Sequence, residues 1–381
     1  MSNQTTLNRR GLNWLAALGA MLLIGLSIYA SQSAFQPAQN DRFVNLVQDE
    51  KVPAHTAKAV AAAEKFLQSL DEKLRAKATY DFNSDQRPKW SNLPVTFVPR
   101  NGTRMGELTK EQRDAGMDLV ASVTSKGGYQ KILDIIAGDD YLAAKGGGKG
   151  KGDKDKDKGK GDKDKGKGGK GGPGFGFDNF YLAVFGKPSA TEPWLVQFGG
   201  HHLAVNITVV GKDFVLTPTL TCAQPSSFAK GDKTIRPLGT EHDLAFKLMA
   251  SLDEKQRAKA ILKNRVSDLI LGPGKDGKDL AADGIKGADL NEKQQALLVE
   301  LAGAWVQILH ESSAEKRMAE IKANVKDTYF AWSGPTVEGS ASYFRVQGPS
   351  VVIEYAPQGN TDHIHTIVRE LGNDYGKKLI K

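Results

Sequence analysis

Between Ala54 and Ala78 the apolar residues Val60, Ala63, Phe66, Leu67, Leu70 and Leu74 recur at three- and four-residue intervals, the spacing of one buried helix face. The same spacing runs through Leu244, Leu248, Met249 and Leu252, and again through Leu297, Leu298, Leu301, Trp305 and Leu309. Two-residue alternation and β-branched side chains predict strands over 203–210, 214–220, 343–346 and 351–355, with Gly211-Lys212-Asp213 as a hairpin turn. Helical patterns precede strand patterns twice along the chain. This order predicts an α+β fold with antiparallel hairpins, not βαβ crossovers.

An internal repeat refines that picture. Phe66-Leu-Gln-Ser-Leu-Asp-Glu-Lys-Leu-Arg-Ala-Lys-Ala78 returns as Leu248-Met-Ala-Ser-Leu-Asp-Glu-Lys-Gln-Arg-Ala-Lys-Ala260. Gly106-Glu-Leu-Thr-Lys-Glu-Gln-Arg resembles Gly287-Ala-Asp-Leu-Asn-Glu-Lys-Gln, each opening a helix behind a capping Thr109 or Asn291. A Tyr-led strand follows in each case, at Tyr181 and Tyr329. The chain therefore reads as two similar halves, 50–144 with 173–225 and 236–376, each with helices packed on an antiparallel sheet.

Two segments fall outside those halves. Residues 145–172 hold 11 Lys and 5 Asp among glycines and have no apolar side chain to bury, so they read as a low-complexity insertion in a surface loop. Residues 1–34 carry an export pattern: Arg9 and Arg10, then an apolar run from Gly11 to Ala30, then small residues. A cleaved signal peptide and a retained membrane anchor both fit this run, because about 20 apolar residues can span a bilayer. The expected location is periplasmic, extracellular or anchored at the membrane, with membrane contact through the N-terminal segment. The net charge of +8 resides in the insertion and the arginine pair, so the globular remainder is neutral and no nucleic-acid partner is expected. With one cysteine, Cys222, the chain has neither an intramolecular disulfide nor a Cys-rich metal site. No nucleophile elbow, phosphate loop or dinucleotide fingerprint occurs.

Chemistry concentrates on histidine. Four of seven histidines form two pairs, His201–His202 and His363–His365. On a strand, residues two apart share a face with α-carbons about 6.6 Å apart, so His363 and His365 can converge on one ion. If His201 and His202 lie on a strand they face opposite ways, and one of the two joins a shared site. Aligning the halves places Glu354 opposite this pair. A carboxylate following Val351-Val352-Ile353 needs a partner when buried, and a metal would supply one. The candidate metal ligands are thus His201, His202, Glu354, His363 and His365, holding a divalent transition metal such as zinc, copper or iron. Arg345, Arg369 and Trp332 lie near them in the sequence and are candidate contacts for a small-molecule substrate. These features fit a metal-dependent oxidative or hydrolytic enzyme. They also fit a non-catalytic ligand-binding or surface-interaction protein whose histidines are structural.

Trp194-Leu-Val-Gln-Phe-Gly-Gly-His-His-Leu-Ala-Val-Asn and Leu216-Thr-Pro-Thr resemble the signature of an uncharacterised family, domain of unknown function 3500 (DUF3500). Tyr343-Phe-Arg-Val-Gln-Gly-Pro, Val352-Ile-Glu-Tyr, His363-Ile-His-Thr-Ile-Val-Arg and Asn373-Asp-Tyr-Gly agree with it. The resemblance spans roughly Val60 to Gly376 without the insertion. It implies no activity, so the site argument rests on the chemistry of the residues.

Overall fold

The amphipathic run at Ala54–Ala78 folds as two helices, α1 (Ala54–Ser69) and α2 (Glu72–Ala78), in a computed structural model that describes residues 52–145 and 174–380. The break has a local cause. Asp71 accepts a hydrogen bond from Leu74 N and caps a new helix, which stops the first one. The further helices are α3 (Lys110–Val123), α4 (Lys126–Ala144), α5 (Gly239–Ser251), α6 (Glu254–Ala260), α7 (Glu292–Val306) and α8 (Glu311–Ala323), eight among the described residues. Asp253 caps α6 through Gln256 N. Thr109 with Gln112 and Asn291 with Gln294 close capping boxes at α3 and α7.

The strands are β1 (Thr79–Tyr80), β2 (Thr103–Arg104), β3 (Tyr181–Phe185), β4 (Trp194–Gly200), β5 (Leu203–Val210), β6 (Asp213–Val215) and β7 (Thr219–Thr221), then a small pair, β8 (Phe228–Lys230) and β9 (Lys233–Ile235). They continue as β10 (Ile285–Lys286), β11 (Tyr329–Ser333), β12 (Tyr343–Gln347), β13 (Val352–Pro357) and β14 (Ile364–Arg369). The strand expected over 214–220 is interrupted between β6 and β7 around Pro218, which has no N–H to give a ladder.

Twelve strands form one sheet in the order β1-β3-β4-β5-β7-β14-β13-β12-β11-β10, with β2 on β3 and β6 on β5. Every pairing is antiparallel except β1 with β3. The strands of the two predicted halves therefore join in one continuous sheet instead of forming a sheet each. Short β7 makes the join, pairing with β5 on one side and β14 on the other.

Alternation along the strands sends Phe198, Val205, Val346 and Ile353 into the main core with the helix side chains Phe66, Leu119, Leu298 and Trp305. The other face carries Ala204, Leu220, Cys222 and Ile367, which pack with Trp90 and Leu269. Two irregular straps, residues 81–102 and 262–284, cover this second face. Their unpaired backbone groups need partners, and the sheet's buried polar side chains provide them. Gln197 donates to Arg87 O, Gln347 to Leu280 O and Arg369 to Leu271 O, while Glu354 accepts from Ile270 N and Leu271 N. Cys222 is a free, buried thiol in the small cluster.

No helix among the described residues is long and apolar enough to cross a membrane. The predicted export segment, 1–34, lies outside the described residues. So does the predicted insertion, 145–172, apart from Lys145.

Candidate metal centre

His201 and His202 are the two central residues of the β4–β5 hairpin turn, because Gly200 pairs with Leu203. The preceding glycines are required by close approach. A Cβ on Gly199 would lie 2.3 Å from Leu203 O, and one on Gly200 would lie 2.9 Å from the Phe180 ring. His202 adopts φ 62°, a left-handed conformation that costs a non-glycine residue about 1 kcal/mol or more. Its backbone is held on both sides, since His202 N donates to Asn92 O (3.2 Å) and Cys222 N donates to His202 O (2.9 Å). The same registers bring the second pair alongside: Ala223 bridges Ile364, and Leu220 pairs with Ile367, so the start of β14 lies beside the hairpin tip across β7.

Residues 161 positions apart thus meet. His202 Nε2 lies 2.9 Å from His363 Nε2, which lies 3.0 Å from His365 Nε2. The ligand atoms of all three are within 4.8 Å of one another. Two nitrogens bound at 2.0–2.1 Å to one ion stand about 2.9 Å apart at a right angle and about 3.3 Å apart at the tetrahedral angle. The His202–His363 and His363–His365 separations match the first of these, so the group could hold a metal ion.

The electrostatics favour neutral imidazoles. Burial first, then His201, His363 and His365, hold the His202 pKa well below the ordinary histidine value. His363 is pushed down to about 4 by burial, His365 and His201, against an upward pull from Asp268. Neutral imidazole is the ligand form. Around His365 stand the Asn92 amide, 3.2 Å from Nε2, and Asp268 Oδ1, 3.4 Å from Nδ1. A carboxylate on the second ring nitrogen is the usual support of a metal-bound histidine.

His201 turns the other way. Its Nδ1 lies 2.6 Å from Asp139 Oδ1 on α4, with the two side chains 4% and 1% exposed. Asp139, His201 and His202 also form a group within 4.8 Å that can hold an ion. The 2.6 Å contact, however, would force an O–metal–N angle below about 80° at ordinary bond lengths. It is instead a short hydrogen bond between the ring and the carboxylate. The His201 and His202 rings stack with centroids 3.6 Å apart and planes at 30°.

The other predicted residues lie elsewhere. Glu354 is fully buried on the strap-covered face, where it accepts from Ile270 N (2.9 Å), Leu271 N (2.7 Å) and the Tyr343 hydroxyl (2.8 Å). The partner that burial demands is therefore strap backbone and a phenol, not the histidine cluster. Arg345 is buried opposite Glu354 in the β12–β13 register, with Nη2 3.4 Å from Ala281 O. Arg369 donates to Leu271 O and Gly272 O and pairs with Asp374 (2.7 Å) and Asp276 (3.3 Å). Trp332 is a core residue, stacked on Phe344 and donating to Gly334 O and Pro335 O. None of these four contacts the histidines. A cleft of about 520 Å³, lined by Ser125, Lys131, Gln307 and Glu311 among others, opens at the first turns of α4. Lys131 lies two turns before Asp139, about 12 Å along the helix.

Asp139, Asn92 and Asp268 went unread in the sequence. Asp139 had a signal: it follows Ile132, Ile135 and Ile136 at the seven-residue position of the buried face of α4. A carboxylate placed there needs a partner. Asn92 and Asp268 sit in irregular straps, where no periodicity marks them.

Fold and site together define a mixed α/β protein with one large, mainly antiparallel sheet and buried histidine–aspartate groups able to hold a metal ion. The chain belongs to the DUF3500 family, described as a protein of unknown function, whose profile matches residues 53–377. Comparison with curated proteins gave no match. Comparison with solved structures also gave none.

Proposed function

We propose that the chain is a metal-binding protein whose ion, a divalent transition metal such as zinc, copper or iron, is held by His202, His363 and His365. The observation that carries this reading is the double contact of His363 Nε2, 2.9 Å from one imidazole nitrogen and 3.0 Å from another. An sp² nitrogen offers one in-plane direction, occupied by a lone pair or a proton, so it cannot form two well-aligned hydrogen bonds there. A cation among the three nitrogens accepts all three lone pairs. His363 is only partly buried, so solvent reaches this side of the group. Three protein ligands with an exposed side suit a centre that binds water or substrate, which supports an oxidative or hydrolytic role on a small molecule.

A second reading keeps the histidines structural, because 2.9–3.0 Å is also the length of an N–H···N hydrogen bond. Elemental analysis of protein purified without chelators separates the two. The metal reading expects one ion per chain, lost in His363→Ala/His365→Ala with the fold retained. A metal-free wild type that also fails to take up zinc, copper or iron leaves the structural reading.

The same proposal extends to organisation and location. Equivalent caps at Asp71 and Asp253 and at Thr109 and Asn291 support descent of the halves 50–144 with 173–225 and 236–376 from one repeated unit. The arginine pair and apolar run of 1–34 support export. Recovery of intact N-terminus in the cytoplasmic fraction of the source cells would count against export.

A further inference from the structure

Of the three histidines in the proposed centre, neither His202 nor His363 has a hydrogen-bond partner at Nδ1 among the described residues. The His202 ring nitrogens meet no carboxylate there, whereas His365 has Asp268. The His202 backbone, in the left-handed region, does not by itself fix the ring. The nearest ring is His201, with centroids 3.6 Å apart and planes tilted by 30°, closer than His363 at 4.8 Å and His365 at 5.6 Å. His201 is in turn fixed by Asp139 at 2.6 Å, and Asp139 is fixed by Gly176 N, which donates to its second oxygen at 2.7 Å. Phe175 also lies against the His201 ring, with centroids 4.4 Å apart. The anchor is α4, a 19-residue helix packed in the main core through Ile132, Ile135 and Ile136. A carboxylate is expensive to bury unless it is paired, and here one oxygen meets the His201 imidazole while the other accepts from Gly176 N.

We infer that Asp139 and His201 are positioning residues, which hold the His202 imidazole through the ring stack in the pose that aims Nε2 at His363 and His365. The inference rests on the metal reading of that triad. It assigns His201 a supporting role, not a place among the ligands. A carboxylate bonded directly to a metal-bound histidine is worth roughly 10- to 100-fold in metal affinity, and Asp139 acts one ring further out. Loss of an aromatic stack alone is worth roughly three- to tenfold.

Cobalt(II) titration of the full chain, followed by its visible absorption, tests this with Asp139→Ala, Asp139→Asn, His201→Ala and His201→Phe. Wild type should bind one cobalt per chain. Asp139→Ala and His201→Ala should weaken binding roughly three- to tenfold and alter the absorption bands, with one cobalt still bound at saturation. Asp139→Asn keeps an acceptor for His201, and His201→Phe keeps the stack, so both should recover part of the loss. Affinities of both alanine variants within twofold of wild type would overturn the inference. So would two cobalt ions per chain falling to one in Asp139→Ala, which makes the pair ligands of a second ion. Should wild type bind no cobalt, the metal reading fails, and the positioning role is then read from the metal-free protein. The ring ¹⁵N resonances of His202 should shift from one tautomer in wild type to an average in Asp139→Ala, and unchanged resonances would sink it.

Discussion

Replacing Glu354 by alanine separates two roles that the sequence leaves open for this carboxylate, metal ligand and internal anchor. In the fold it accepts three hydrogen bonds, from Ile270 N, Leu271 N and Tyr343 Oη, and it faces Arg345 across the β12–β13 register. Removing it leaves two backbone donors and a phenol without an acceptor. Hydrogen bonds to a charged acceptor contribute about 1.5–3 kcal/mol each. Part of that is offset because the carboxyl group no longer has to be desolvated, which leaves a net loss of about 3–5 kcal/mol for the three bonds together. That is a large share of the roughly 5–15 kcal/mol that stabilises an ordinary domain. Urea denaturation of Glu354→Ala should therefore show a loss of about 3–5 kcal/mol, with Glu354→Gln milder because it keeps one acceptor oxygen. Metal bound per folded chain should stay at the wild-type value in both variants. A variant of near wild-type stability that has lost its metal would refute this reasoning and return Glu354 to the ligand set.

Arg369→Ala should likewise cost about 3–5 kcal/mol in urea without changing metal content, since its side chain is 1% exposed and its loss leaves Asp374 and Asp276 without their cation. Asp71→Ala and Asp253→Ala should each cost about 1 kcal/mol by thermal melting, as exposed helix caps do. Metal-free protein should lose stability on acidification: His363 has a folded-state pKa of about 4, held there mainly by burial and by His365 and His201. The unfolded chain therefore binds the extra proton first, near the ordinary histidine pKa of about 6.5, and stability falls as pH drops from there toward about 4. For this partly exposed ring the loss between pH 7 and pH 5 should be about 1 kcal/mol after solvent screening. An unchanged pH profile in His363→Ala would show that the ring is not its source.

The difference between Glu354 and the histidine cluster shows where sequence reading succeeds here and where it stops. Periodicity exposed the elements whose burial repeats regularly, so α1, α7, β5 and β13 were legible, as were the caps at Thr109 and Asn291. His365 was legible for the same reason, because β14 carries its side chains to fixed faces, and His363 immediately precedes that strand. A buried polar residue on a strand, however, says only that something must meet it. For Arg345, Glu354 and Arg369 that something is the backbone of the irregular strap 262–284, whose course no periodic pattern records. For His202 the geometry arises from a two-residue turn with φ 62°, which lays two adjacent histidine rings against each other and gives their nitrogens different partners, the triad for His202 and Asp139 for His201. A strand assumption would place them on opposite faces of the sheet, yet their rings stack. The partner of His201 was nevertheless announced in its own helix, where Ile132, Ile135 and Ile136 lead by helical spacing to Asp139. Where a charge falls on an apolar face and a histidine on an apolar turn, each predicts that the other exists, and only the fold says that the two are a pair.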